Sequence, residues 1–235
     1  MESQTDSRVE KARETIAVSL KEARAVDLSW IQPPPTTGDW KMALDSLRFL
    51  TSVVKHLKPR HVLEFGSGLS TRVMARACIA QRPTCAISSV DHDPDFGRQA
   101  AKEFLKKEKV SRRVKFQMAP LVLRNCGGKL LPAYHLQPKL FASRRPVDMV
   151  LIDGPPKNLG GREGTLYQAI EFAHPGTLIL LDDANRTEEQ AILSRWQASL
   201  GDSIEVTQLQ NFEHGLAAVI LHKTLRRTNK ARSLV

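Results

Sequence analysis

Four short, mostly apolar runs in this chain each end on a glycine or an acid, and that punctuation limits the fold more than any other feature. His61–Phe65 ends at Gly66, Cys85–Val90 at Asp91, Val147–Ile152 at Asp153, and Thr177–Leu181 at Asp182. Runs of this length and character suit strands buried on both faces of a parallel sheet. The segments between them carry helical spacing. From Trp40, the residues Ala43, Leu47, Leu50, Val54 and Leu57 recur at steps of four and three, and Lys58-Pro59 stops the pattern. Ser70–Ala80 has helical character, and Asp93-Pro94 reads as an N-cap with proline at the first helical position of a helix through about Lys107. Leu166, Ala169, Ile170 and Ala173 share a helical face, and Thr187 with Gln190 suits a capping box for a helix reaching about Leu200. Val114–Met118 adds a strand. Ile204–Leu209 and Leu216–Leu221, joined by a short turn around Asn211, predict a closing antiparallel pair. The alternation predicts an α/β fold: a Rossmann-like seven-stranded sheet, mostly parallel with an antiparallel last strand, and helices on both faces.

The 235 residues fit one large α/β domain. Residues 1–28 carry a weak amphipathic helical pattern, and Gln32-Pro33-Pro34-Pro35-Thr36-Thr37-Gly38-Asp39 punctuates the chain as a linker or lid. The expected organisation is therefore an N-terminal helix and lid over 1–39, the main α/β domain over 40–222, and a basic tail over 223–235. Ala119–Pro146 is long for a strand-to-strand connection and contains Gly127-Gly128, which marks it as a functional insertion. The net charge of +10 is concentrated rather than spread. Lys106, Lys107, Lys109, Arg112, Arg113 and Lys115 face only Glu108 within Leu105–Lys115, and Lys223, Arg226, Arg227, Lys230 and Arg232 face no acid in the tail. Basic segments of this kind grip nucleic acid, acidic glycans or membrane surfaces, or simply fray into solvent. No apolar run approaches the roughly 18 residues a membrane span needs. The polar start, MESQTDSRVEKARETI, has no apolar core of a secretory signal. Cys78, Cys85 and Cys126 have no metal-type spacing and are odd in number, so they read as thiols of a reducing cytoplasm.

Four motifs carry chemistry. In His61-Val62-Leu63-Glu64-Phe65-Gly66-Ser67-Gly68-Leu69-Ser70-Thr71 a buried strand runs into glycines that admit a ligand, then into a helix N-terminus. A dinucleotide binder would place a third glycine at the helix start for its pyrophosphate. Here Thr71 stands there, and Glu64 precedes the first glycine, a charge that suits the amino group of a methionine moiety. In Ile87-Ser88-Ser89-Val90-Asp91-His92, Asp91 lies 23 residues beyond Gly68 at a strand end, the position from which an acid accepts ribose hydroxyls. Val147-Asp148-Met149-Val150-Leu151-Ile152-Asp153-Gly154-Pro155-Pro156 and Gly176-Thr177-Leu178-Ile179-Leu180-Leu181-Asp182-Asp183 end on carboxylates at adjacent strands. Asp153, Asp182 and Asp183 would converge on one point, as hard oxygen ligands for Mg²⁺ or as helix caps and pocket lining.

The order LEFGSG, SVDHDP, VDMVLIDGPP, GTLILLDDANR resembles the class I S-adenosylmethionine-dependent methyltransferases over about residues 40–220. Within them it is similar to small bacterial-type methyltransferases with DGPP and DDA-x-R segments, and to metal-dependent O-methyltransferases of the catechol and macrocin types. The resemblance implies S-adenosyl-L-methionine as cofactor, held by Glu64, Gly66, Ser67, Gly68, Ser70, Asp91, His92 and Asp153. It implies Mg²⁺ on Asp153, Asp182 and Asp183, and methylation of a hydroxyl on a small molecule or sugar. Asp153 and Lys157 are the implied catalytic residues. The catechol type, however, has its lysine three residues after the first metal-binding acid, where this chain has Pro156. Tyr134, His135 and Arg162 are further candidates near the substrate entrance.

Three rivals fit less well. A nucleic-acid methyltransferase would draw on the basic segments, but Asp153-Gly154-Pro155-Pro156 lacks the aromatic residue that would stack a flipped base. A non-catalytic cofactor-binding or scaffold protein that has kept the fold is disfavoured by the intact Gly66, Gly68 and Asp91. NAD-dependent oxidoreduction is disfavoured by Thr71 and Glu64.

Overall fold

The computed structural model of the protein describes residues 2–31, 42–81, 85–94, 114–136 and 146–225. Among them, seven strands form one sheet: β1 (His61–Phe65), β2 (Ala86–Asp91), β3 (Val114–Met118), β6 (Val147–Ile152), β7 (Ala173–Asp182), β8 (Ile204–Leu209) and β9 (Leu216–Leu221). Their order is β3-β2-β1-β6-β7-β9-β8. All pairings from β3 through β7 are parallel, and β9 lies antiparallel to both β7 and β8. This is the expected architecture, with the reversed last strand slotted between β7 and β8. Asn211, at φ 67°, helps turn the chain between that pair.

Successive side chains of a strand point to opposite faces, and both faces here are apolar. Val62, Ile87, Met149, Leu151, Leu178 and Leu180 pack on one face with Leu47, Leu50, Val53 and Val54 of α2 (Leu44–Leu57) and Met74 of α3 (Leu69–Gln81). Leu63, Phe65, Val150, Ile152, Ile179 and Leu181 pack on the other with Leu166 of α4 (Glu163–Ile170) and Ile192 and Trp196 of α5 (Thr187–Leu200). The weak N-terminal pattern forms α1 (Glu2–Glu22), whose Val9 and Ala12 join the first cluster. Arg8 packs so closely on Gly176 that a Cβ there would meet its backbone carbon at 2.7 Å.

Local readings shift in three places. Ala173 begins β7 instead of ending a helix, because the chain turns at Glu171 and Phe172 so that the Phe172 carbonyl can accept Val147 N–H at 2.9 Å. β7 consequently starts earlier than its apolar run, through a register irregularity against β6. The Thr187–Gln190 capping box does not form. Arg186 is the N-cap residue with no side-chain cap, since a turn from Asp183 to Arg186 (N–H to carbonyl, 2.9 Å) fixes the helix start one residue earlier.

The described part of the insertion is a hairpin, β4 (Leu121–Cys126) and β5 (Lys129–Tyr134), turned by Gly127 and Gly128 at φ 60° and 89°. Both torsions need residues tolerant of positive φ. Gln168 of α4 ties the hairpin down, accepting Tyr134 N–H at 2.8 Å and donating to the Tyr134 carbonyl at 2.7 Å. The lid at 33–39, most of the predicted helix after Pro94, and most of both basic segments lie outside the described residues. None of the described helices is long and apolar enough to cross a membrane.

Candidate functional site

The strand register lines up the punctuating residues. Phe65 pairs with Val90 and with Ile152, and Ile152 pairs with Leu181. Gly66, Asp91, Asp153 and Asp182, each one residue further on, therefore stand in a row along the carboxyl ends of four neighbouring parallel strands. Chain order reverses between β1 and β6, and the crevice at such a switch point is where open α/β sheets bind ligands.

The glycine loop is fixed from below. Gly66 adopts φ 94°, and a Cβ on it would sit 2.9 Å from the Asp153 backbone carbon. Only glycine fits both the torsion and the contact. Glu64 is fully buried; its Oε1 accepts Ser70 Oγ–H at 2.6 Å, and its Oε2 accepts Ser89 Oγ–H at 2.6 Å and the Thr71 hydroxyl. Burial pushes its carboxyl up to about 7, against the opposing pull of Ser70, Ser89 and Thr71. Ser67 Oγ meets Ser89 Oγ at 2.7 Å. Asp91 closes the loop: its Oδ2 accepts Ser67 N–H at 2.7 Å, and its Oδ1 accepts Asp93 N–H at 2.9 Å and lies 3.3 Å from His92 Nδ1. A carboxylate has about four acceptor positions, so these contacts leave Asp91 capacity for a ligand hydroxyl.

Asp153, Asp182 and Asp183 do come together, each placing a carboxylate oxygen within 4.8 Å of the others. The sequence did not show what lies among them. Arg162, the N-cap residue of α4, is buried there. Its Nη2 donates to Asp153 Oδ1 at 3.0 Å and to Asp183 Oδ2 at 2.6 Å, and its Nη1 donates to the Asp182 carbonyl at 2.5 Å. Arg186 Nη1 reaches the same Asp183 oxygen at 2.8 Å. Burial opposes the charged guanidinium, yet the surrounding carboxylates of Asp153 and Asp183 hold its pKa above the ordinary value. Burial likewise pushes the Asp153 and Asp182 carboxyls up, with Arg162 pulling the other way. Asp183 sits at φ 60°, a conformation that aspartate tolerates better than most residues.

This donor set does not fit a resident Mg²⁺. A divalent ion needs carboxylate oxygens turned toward it, and here one oxygen each of Asp153 and Asp183 is committed to a fixed guanidinium. Asp182 Oδ1 is buried with no hydrogen-bond partner among the described residues.

The remaining candidates separate. Tyr134 stacks on Phe65 (centroids 5.4 Å) with its hydroxyl buried and without a hydrogen-bond partner, against Gly154, where a Cβ would meet it at 2.5 Å. Its ring is 6.3 Å from His92, so the hydroxyl belongs to the same crevice. His135 is exposed, and Lys157 lies in an exposed turn with its ammonium on Glu188. Ser89 was missed by sequence reasoning; its only signal was a pair of hydroxyl residues, Ser88 and Ser89, inside an otherwise buried strand.

A family model described as a methyltransferase domain matches residues 63–184, just over half of the chain and all four strand ends of this crevice. The chain belongs to that methyltransferase family. The methyltransferase matches no curated protein by sequence. Its fold is similar to that of cofactor-bound Rv0187 from MTB (18% identity, TM-score 0.55, covering 89% of this chain and 90% of that one). It is also similar to the O-methyltransferase TomG from Streptomyces achromogenes in complex with SAM (15%, 0.57, 90% and 89%). A third is an O-methyltransferase from Bacillus cereus in complex with SAH (16%, 0.55, 88% and 90%). These likenesses establish the Rossmann-like methyltransferase fold for this enzyme.

Proposed function

We propose that the methyltransferase binds S-adenosylmethionine across the Gly66–Gly68 loop and transfers its methyl group to a hydroxyl of a small-molecule or sugar acceptor. The observation that carries this reading is the row of Gly66, Asp91 and Asp153 at the switch point, with the loop backbone held open by a φ only glycine accepts. Asp91 would receive the ribose hydroxyls, and Ser67 and Gly68 would line the methionine side. Glu64 would act through the loop it holds, since three protein hydroxyls occupy its oxygens. O-methyltransferases among the similar structures support oxygen as the accepting atom.

The step is an in-line displacement: the acceptor oxygen bonds to the methyl carbon, the carbon–sulfur bond breaks, and S-adenosylhomocysteine leaves with the electron pair. Orientation supplies most of the acceleration in such a reaction. The acceptor hydroxyl must lose its proton, and Asp153, a quarter of whose side chain is exposed, would be the carboxylate that takes it. Lys157, on the surface with Glu188, is less well placed for that role.

Incubation with methyl-labelled S-adenosylmethionine and a panel of hydroxylated acceptors tests the reading. The label should appear in a base-stable ether, and Asp153→Asn should slow its formation by about a hundredfold or more, the usual worth of a positioned base. Label transferred only to nitrogen or to nucleic acid would overturn the acceptor assignment.

A further inference from the structure

We propose that Arg162 is the resident cation of the acid cluster, filling the place of a divalent ion and leaving the crevice metal-independent. The proposal deepens the reading of this crevice as the transfer site and rests on it. A cluster of buried carboxylates demands compensating positive charge. Arg162 supplies it from within the chain, with its side chain 5% exposed and two nitrogens distributed over Asp153, Asp183 and the Asp182 carbonyl. Glu189 Oε1 lies 3.9 Å from its Nη1, so a fourth acid faces the same group.

The guanidinium is built in. Its backbone carbonyl accepts both Thr165 N–H at 3.2 Å and Thr165 Oγ–H at 2.5 Å, which locks the start of α4. Gly160 and Gly161, at φ 99° and 74°, turn the chain into position just before it. Every donor with a described partner points inward at an acid or a strand-end carbonyl, which a substrate-binding arginine would not do. The consequence for the reaction is specific. A guanidinium neutralises the carboxylates but offers no open coordination position to an acceptor hydroxyl, so activation of that hydroxyl falls to Asp153 and to positioning. Removing the guanidinium should expose a latent cation site, because three carboxylate oxygens already lie within 4.8 Å of one another and Asp182 Oδ1 is buried and unpartnered.

The test is titration of the full chain with Mn²⁺, read as loss of the free-ion electron paramagnetic resonance signal. The wild type should leave that signal intact into the millimolar range, and its affinity for S-adenosylhomocysteine should be the same with and without EDTA. Arg162→Met, which keeps much of the stem volume and removes the charge, should bind one Mn²⁺ per chain at least about tenfold more tightly than the wild type, and the further change Asp182→Asn should abolish that binding. If Arg162→Met unfolds without metal, Mn²⁺ should restore its thermal transition. Stoichiometric Mn²⁺ uptake by the wild type that Asp182→Asn removes would overturn the proposal. So would a folded Arg162→Met that binds no Mn²⁺, or one that stays unfolded in its presence. Failure of the wild type to bind S-adenosylhomocysteine while remaining silent to Mn²⁺ would instead remove the transfer-site reading and leave the counter-ion in place.

Discussion

At Glu64 the site stores a conflict between burial and hydrogen bonding. The carboxyl is taken wholly out of water, and Ser70, Thr71 and Ser89 only partly make up the loss. Its folded-state pKa of about 7 stands above the ordinary 4.5, so the folded state holds the proton more tightly than the unfolded chain. The contribution of Glu64 to stability is thus greatest below pH 4.5 and is lost as pH rises through about 7. At about 1.4 kcal/mol per pH unit, the difference amounts to about 3 kcal/mol. Chemical denaturation of the wild type and of Glu64→Gln at several pH values should show the wild type losing ground to the variant by roughly that amount between pH 5 and 8. A stability difference that stays flat across this range would contradict the account. Gly66 gives a second prediction at the same scale. Gly66→Ala must tolerate both φ 94° and a 2.9 Å contact with the Asp153 backbone, and backbone cannot swing aside. It should destabilise the fold by about 2 kcal/mol or more and weaken cofactor binding; unchanged stability in denaturant would show that the loop adopts another shape.

Elements carry the next level. Gln168 anchors the β4–β5 hairpin by bonding both backbone groups of Tyr134, beside the Arg124–Glu171 ion pair at 2.6 Å. Gln168→Ala leaves the buried Tyr134 N–H without its partner, at about 1–3 kcal/mol, while the Tyr134 carbonyl keeps Leu136 N–H at 2.9 Å. Hydrogen exchange should accelerate across β5 in that variant while β1 and β6 keep their protection; uniform exchange behaviour would mean the hairpin is held some other way. The strands and their ends were legible in the sequence because each apolar run stops at a glycine or an acid that the register lines up along the crevice: Gly66, Asp91, Asp153, Asp182. Helix boundaries were less so. Thr187 carries the signature of a cap, but the turn begun at Asp183 places Arg186 there instead. Arg162 was visible only as a lone arginine in a glycine-rich loop, since its partners Asp153 and Asp183 are 9 and 21 residues away and meet it only after the sheet has formed. Ser89 was hidden likewise, for nothing local says that a strand hydroxyl will cap Glu64, and Tyr134 stood out as a candidate without any sign that it would stack on Phe65.

For the whole molecule, the strand order β3-β2-β1-β6-β7-β9-β8 converts dispersed motifs into one crevice. The fold class followed from the alternation of strands and helices, and the reversed last strand from the short turn at Asn211. The acceptor could not be read in the same way, because the segments that frame an acceptor pocket have no periodicity or spacing that encodes its shape. The central claim is that this crevice holds S-adenosylmethionine. Calorimetry with S-adenosylhomocysteine tests it most directly, on the wild type and on Asp91→Asn, with NAD as the control ligand. The account predicts one S-adenosylhomocysteine per chain, no binding of NAD, and an affinity about tenfold or more weaker in Asp91→Asn, as expected for lost hydrogen bonds to a charged acceptor. Absence of S-adenosylhomocysteine binding by the folded wild type, or an affinity indifferent to Asp91→Asn, would contradict it.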